Sequence, residues 1–371
     1  LDGSGNPIDG SSITLNMLVI RDDAYVPDLQ AGSYTTINTL RLRDSTGTFG
    51  LLGDIETASL DIYAGTLDAS NRNIAVRGNW SNSGSFTPGT GTVSFTGTGS
   101  TTLNSGGTGA GKIFGNMTHS GTGTVTLSTN NVNIDGTFTN SAGTFQDGGR
   151  TAYFGGNFVN NATYSGTGTA VFDGTTVASG TVAPSFNNIT ITGSLTAPSA
   201  MNVAGTWTNT NGSFSPGTGI VTFDGGDAAI TTGGSGEGKR FNNVTVSATG
   251  TKTLAGNMGV GGDLMLSAGT LAADNYAISV SGSWDNTSGS FTAGTGTVYF
   301  DGSSGTQTIT TGGTGDGKRF NNVDFSGAGS KVLAGALEAA GTLTINASTT
   351  FSTANYAMTV AGDFNAQSSL S

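Results

Sequence analysis

The chain has 371 residues, of which 63 are Gly, 3 Glu, 5 Lys and none Cys. Its net charge is −11, from 24 acidic and 13 basic residues. No basic stripe is present to neutralise phosphates, which excludes a nucleic-acid partner and an anionic membrane surface. So little Glu and Lys beside so much Gly and Asn disfavours solvent-facing helices and favours short strands joined by tight turns.

Residues 1–10, LDGSGNPIDG, are turn-rich and read as a lead-in arm. Residues 11–79 are strand-like but irregular. Ile37, Leu40 and Leu42 alternate imperfectly with polar neighbours, and Leu60-Asp61-Ile62 and Ile74-Ala75-Val76 repeat an inward–outward–inward pattern. The longest apolar run, Met17 to Ile20, is far short of a membrane span. The chain opens at Leu1 with no visible signal peptide, as a processed or excised piece would. Residues 1–79 are read as N-terminal coils or a cap. Residues 80–371 are read as a repeat of four cassettes and an incomplete fifth.

The repeat has two markers. Trp80, Phe158, Trp207, Trp284 and Phe364 close the strands GNW, GNF, GTW, GSW and GDF, at separations of 78, 49, 77 and 80 residues. Phe114, Phe186, Phe241 and Phe320 open FGNM, FNNI, FNNV and FNNV, and lie 44, 21, 43 and 44 residues before the next first-type marker. One copy has therefore lost about half of an otherwise constant interval, as a solenoid does when a whole turn is deleted. The expected fold is all-β, a parallel β-solenoid of roughly 14–17 coils at about 22 residues per turn. Further aromatics recur at fixed offsets, among them Phe95, Phe172, Phe223 and Phe300, and are expected to stack ring on ring between coils. The Asn pairs 187-188, 242-243 and 321-322 are expected to form side-chain amide ladders at a corner.

Chemical motifs are few. Gly106 to Lys112, Gly233 to Lys239 and Gly312 to Lys318 match GxxxxGK, but Ile113, Arg240 or Arg319 follows where a phosphate loop needs Ser or Thr for Mg²⁺, and a strand follows where it needs a helix. A structural loop is the reading. Glu237 and Asp316 in these loops carry only a faint calcium pattern, short of the six or so oxygens such a site needs. Asp173, Asp224 and Asp301 share one repeat position before Gly and read as turn residues. Asp22-Asp23, with Arg21, is the one adjacent carboxylate pair that a carbohydrate-cleaving site would use. His119, the sole histidine, reads as a solvated loop residue. The Thr alternation at 122, 124 and 126 shows no ladder regular enough for an ice-binding face.

The cassette GxWxNxGxFxPGTGTVxFxG with its later FNN strand, over about residues 71–371, resembles repeats of large secreted bacterial surface proteins. It also resembles the right-handed parallel β-helix of filamentous-haemagglutinin and autotransporter-passenger adhesins. That resemblance implies a right-handed coil, a cell-surface location and an adhesive or fibre role, and assigns no catalytic residue. The expectation is thus a non-enzymatic extracellular structural protein without cofactor or membrane insertion. Its coils would assemble head-to-tail into a homopolymer, with surface glycans as a candidate ligand. The alternatives are a monomeric adhesin stalk and a β-helix carbohydrate-active enzyme.

Overall fold

Strands of three to five residues recur throughout, each alternating buried and half-buried positions, because successive side chains of an extended chain point to opposite faces. In the computed structural model, which describes residues 14–21, 36–51 and 53–367, these strands stack in parallel as a β-solenoid of about 16 turns, with no helix among the described residues. The arm at 1–10 and the Asp22-Asp23 pair lie outside the described residues. The chain divides into two compact units, Leu1–Pro184 and Ser185–Ser371.

In the first unit, one turn reads Ile74–Val76, Trp80–Asn82, Ser85–Thr87. These three strands define three faces, and glycine-containing turns join them. The inward columns run from turn to turn: Leu40, Leu60, Trp80, Leu103 and Leu127 are successive register partners. The stretch before Trp80 is built the same way. Thr36–Gly50 and Ile55–Asp68 pair in parallel with register shifts near Arg43, and Ile55–Asp68 then carries all three strands of the Trp80 turn.

The interval arithmetic of the sequence is visible as rungs. Phe114 has Ile134 and then Phe154 above it, two turns, before Phe158. Phe241 has Val260 and Val280, and Phe320 has Ala339 and Val360, again two turns each. Phe186 has only Val203 before Trp207. The missing half-interval is one whole turn.

One feature of the stacking has no counterpart in the sequence reading. Thr92–Phe95, a first-face strand, carries Asn116–His119, which in turn carries Phe138–Asn140, a second-face strand of its own turn. In the second unit Ile220–Phe223 passes through Asn243–Leu254 to Leu264–Ala272, and Thr297–Phe300 passes through Asn322–Phe325 to Leu343–Ile345, in the same way. Each long glycine loop, with the Phe strand after it, adds one face, and the ladders slip by one.

Equivalent aromatics of successive cassettes do not stack on each other, because whole turns lie between them. Trp207 has Ile189 and Ile230 as register partners, and Trp284 has Leu264 and Ile309. The ring contacts are instead local triads. Trp80–Phe86–Phe114, Trp207–Phe214–Phe241 and Trp284–Phe291–Phe320 each have centroids 4.8–5.8 Å apart. Ring-on-ring pairs occur between successive rungs at Phe145–Tyr164, Phe154–Phe172 and Phe300–Phe325.

Of the marker aromatics, Trp80, Phe95, Phe114, Phe158, Phe172, Phe186, Trp207, Phe223, Phe241, Trp284, Phe300 and Phe320 are all buried. Phe364 is 44% exposed: its strand Phe364–Ala366 lies on Leu343–Ile345 and has no second partner among the described residues. Phe138, which the marker list missed, is a thirteenth buried ring of the set.

Candidate functional site

The glycine loops are where the chain concentrates charge. Lys112 donates from Nζ to the Asn82 carbonyl (3.0 Å) and to Gly84 O. Lys239 donates to the carbonyls of Asn209 (2.5 Å), Thr210 (3.0 Å) and Gly212 (2.6 Å). Lys318 donates to those of Asn286 (2.5 Å), Thr287 (3.2 Å) and Gly289 (2.8 Å). In each case the cage is the turn that follows the Trp one coil below. The lock is reciprocal. The Asn Nδ2 at 82, 209 and 286 donates to the carbonyl of the Gly before the lysine, at 3.0, 3.1 and 2.9 Å. The amides of Phe86, Phe214 and Phe291 donate to the same oxygens. Only Gly fits there: Gly111, Gly238 and Gly317 have φ of 75–82°, and a Cβ would come within 2.8–3.1 Å of a serine hydroxyl.

The other end of each loop is closed by a hydroxyl that the sequence reading passed over. Ser105, Thr232 and Thr311 are buried, and each donates to a carbonyl of the next turn, that of Asn131, Asn257 or Ala336. Each stands immediately before the paired glycines, which was the available signal. The GxxxxGK match is accordingly a closed structural loop. Its ammonium, which in a phosphate site would face the ligand, is saturated by the protein's own carbonyls.

The two remaining lysines behave alike. Lys252 is fully buried and donates to Ala204 O and Gly226 O, both at 2.7 Å, and Lys331 is fully buried and donates to Gly302 O (2.6 Å) and Gly329 O (3.2 Å). All five ammonium groups thus bind backbone carbonyls. Burial pushes their pKa values down from the usual lysine range; nearby Asp224 and Asp227 oppose this at Lys252, and Asp301 at Lys331.

Asp173, Asp224 and Asp301 each lie in the connection directly after a strand. Burial raises the Asp173 carboxyl, with Asp135 adding to the effect. Asp301 accepts from the Ser281 hydroxyl at 2.6 Å and lies 3.7 Å from Arg240. Asp316 pairs with Arg319 at 3.0 Å, and no three metal-ligating side chains converge among the described residues.

His119 is not a solvated loop residue. It is 1% exposed, in a strand, stacked in the column Phe95, His119, Asn140, Asn160. Its Nδ1 proton donates to Asn140 Oδ1 (3.0 Å), and Asn140 Nδ2 donates to Asn160 Oδ1 (2.9 Å). Burial lowers its pKa, and the Asn140 bond opposes the shift. This internal ladder runs from amide to amide, as does the Asn130–Asn104 bond at 2.8 Å. At the corners, Asn188, Asn243 and Asn322 accept from backbone amides one turn on: Thr206, Asp263 and Thr342, each at 2.8 Å. Outward hydroxyls do align over four rungs, at Ser100, Thr124, Thr144 and Thr163.

Comparison with protein-family profiles, with characterised proteins and with solved structures returned no match.

Proposed function

We propose that this chain is an extracellular structural element, a β-solenoid segment of a bacterial surface fibre or stalk that associates with further copies of itself. The observation that carries the reading is the fate of the chain's scarce charge. All five lysines lock turns together through backbone carbonyls, and three of them do so in the same way in three cassettes. A catalytic or nucleotide site would leave such a cation facing a ligand. A load-bearing coil uses it to satisfy the carbonyls of its turns. The Thr-, Ser- and Asn-rich composition of low charge supports an extracellular setting. The test is negative-stain microscopy with light scattering over a concentration series of the purified chain. Concentration-dependent multimers or filaments are expected, and single particles of one chain at every concentration would overturn the self-association.

A further inference from the structure

Two clefts in the second unit are copies of one another. The first encloses about 440 Å³ between strand Ser213–Ser215 with its following turn, the Lys239 loop, and the Phe241 bridge that precedes strand Asn243–Leu254. The second encloses about 380 Å³ between Ser290–Thr292, the Lys318 loop and the Phe320 bridge that precedes strand Asn322–Phe325. Position for position their polar groups correspond: Glu237 with Asp316, Arg240 with Arg319, Asn242 with Asn321. The equivalent loop of the first cassette carries Ala110 and Ile113 in place of the acid and the arginine.

The chemistry of the rim narrows the ligand. Each cleft brings one carboxylate and one guanidinium; Arg319 is paired with Asp316 at 3.0 Å and Arg240 lies 3.7 Å from Asp301, so no unpaired cation is left to draw a free anion. The Phe rings beneath are 0–1% exposed, so no ring face is offered for stacking. What is offered is a mixed set of acceptors and donors. In the first cleft Arg240 Nη2 is anchored by Val260 O at 3.0 Å and by Ser281 Oγ, which fixes the guanidinium at the rim. Acceptors and donors interleaved around a pocket of this size match adjacent hydroxyls of a neutral polyol.

We propose that the two clefts are duplicate binding sites for a neutral saccharide, with Glu237 and Asp316 accepting from its hydroxyls and Arg240 and Arg319 donating to its oxygens. Because the ladders slip by one face per cassette, Phe291 continues the ladder of Trp207 and not that of Phe214. The clefts therefore open on different faces of the unit. One short sugar chain cannot span both, and they fill independently, two ligands per chain. This does not depend on whether the protein self-associates.

The test is saturation-transfer NMR on the full chain with methyl α-glucoside, methyl β-galactoside and N-acetylglucosamine at millimolar concentration, with inorganic sulfate as a competitor. The control is the double variant Glu237→Ala with Asp316→Ala, which copies the alanine the first cassette already tolerates; its fold is checked by circular dichroism. Transfer to at least one sugar is expected, indifferent to sulfate and roughly ten-fold weaker in the variant, as for loss of a charged hydrogen bond. No transfer to any of the three, transfer unchanged in the variant, or displacement by sulfate would overturn the proposal.

Discussion

Replacing Lys239 with Met removes the ammonium but keeps most of the stem. Three backbone carbonyls then lose their donor at once: those of Asn209, Thr210 and Gly212. Hydrogen bonds to a charged group contribute about 1.5–3 kcal/mol each when buried. The cage is half open to water, which screens the charge and can replace part of the lost bonding, and the variant no longer desolvates an ammonium. A net loss of about 2–3 kcal/mol follows from those opposing effects. Because a solenoid turn contacts only its neighbours, the loss is local, and a global melt would blur it. The assay is native-state hydrogen exchange. The Phe214 amide, bonded to Gly238 O at 2.7 Å across the locked loop, is expected to exchange roughly 30- to 150-fold faster, the equivalent of that free energy. The amide of Phe291, in the next cassette, should not change. Exchange at Phe214 within about two-fold of wild type would refute the carbonyl-cage argument.

Two further outcomes follow from the same packing. The indole N–H groups of Trp80, Trp207 and Trp284 are buried without an acceptor, so these rings act as apolar wedges. Trp207→Phe, which imitates Phe138 and Phe158, should therefore cost about 1 kcal/mol, and Trp207→Ala about 3–5 kcal/mol, by denaturant unfolding; equal costs would contradict this. His119 is held neutral by burial, with its folded pKa below the ordinary 6.5. Its contribution to stability is whole above pH 6.5 and is lost as pH falls from there through the folded value, because the unfolded chain takes up the proton first. His119→Asn, which extends the Asn140–Asn160 ladder, should flatten that part of the pH–stability curve; an unchanged slope would place the acid sensitivity elsewhere.

Much of the architecture was legible because turn deletion leaves a mark in spacing: Phe186 to Trp207 is short by one rung, and the rung count agrees. Burial of the marker aromatics was legible from alternation. The face slip was not, because it depends on which strand the chain lays down after each glycine loop, and no local pattern records that. The expected stacking of Phe95, Phe172, Phe223 and Phe300 on one another failed because other turns lie between them, so their register partners are residues such as His119, Phe154, Val203 and Val280. The lysine cages were half legible. Trp80, Trp207 and Trp284 are the three markers whose cassettes also carry GxxxxGK and an Asn two positions after the ring, while the Phe158 cassette has no such lysine. The Asn alone marks no cage, since Asn160 follows Phe158 at the same spacing, and the link from Asn82 to Lys112 across 30 residues came from the structure. His119 misled because it follows a strand-like NMT and precedes Ser-Gly, where a loop looks reasonable. Its burial comes from sharing a column with Phe95 and Asn140.

The account rests on where the lysine charges sit, and ¹⁵Nζ NMR of the folded chain reads that directly. Ammonium protons held by two or three carbonyls exchange slowly enough to be seen near neutral pH, whereas solvated ones do not. Five such resonances are expected, for Lys112, Lys239, Lys252, Lys318 and Lys331. A spectrum in which the lysines of the three glycine loops give no protected signal would contradict the claim that this chain commits its cations to holding its turns together.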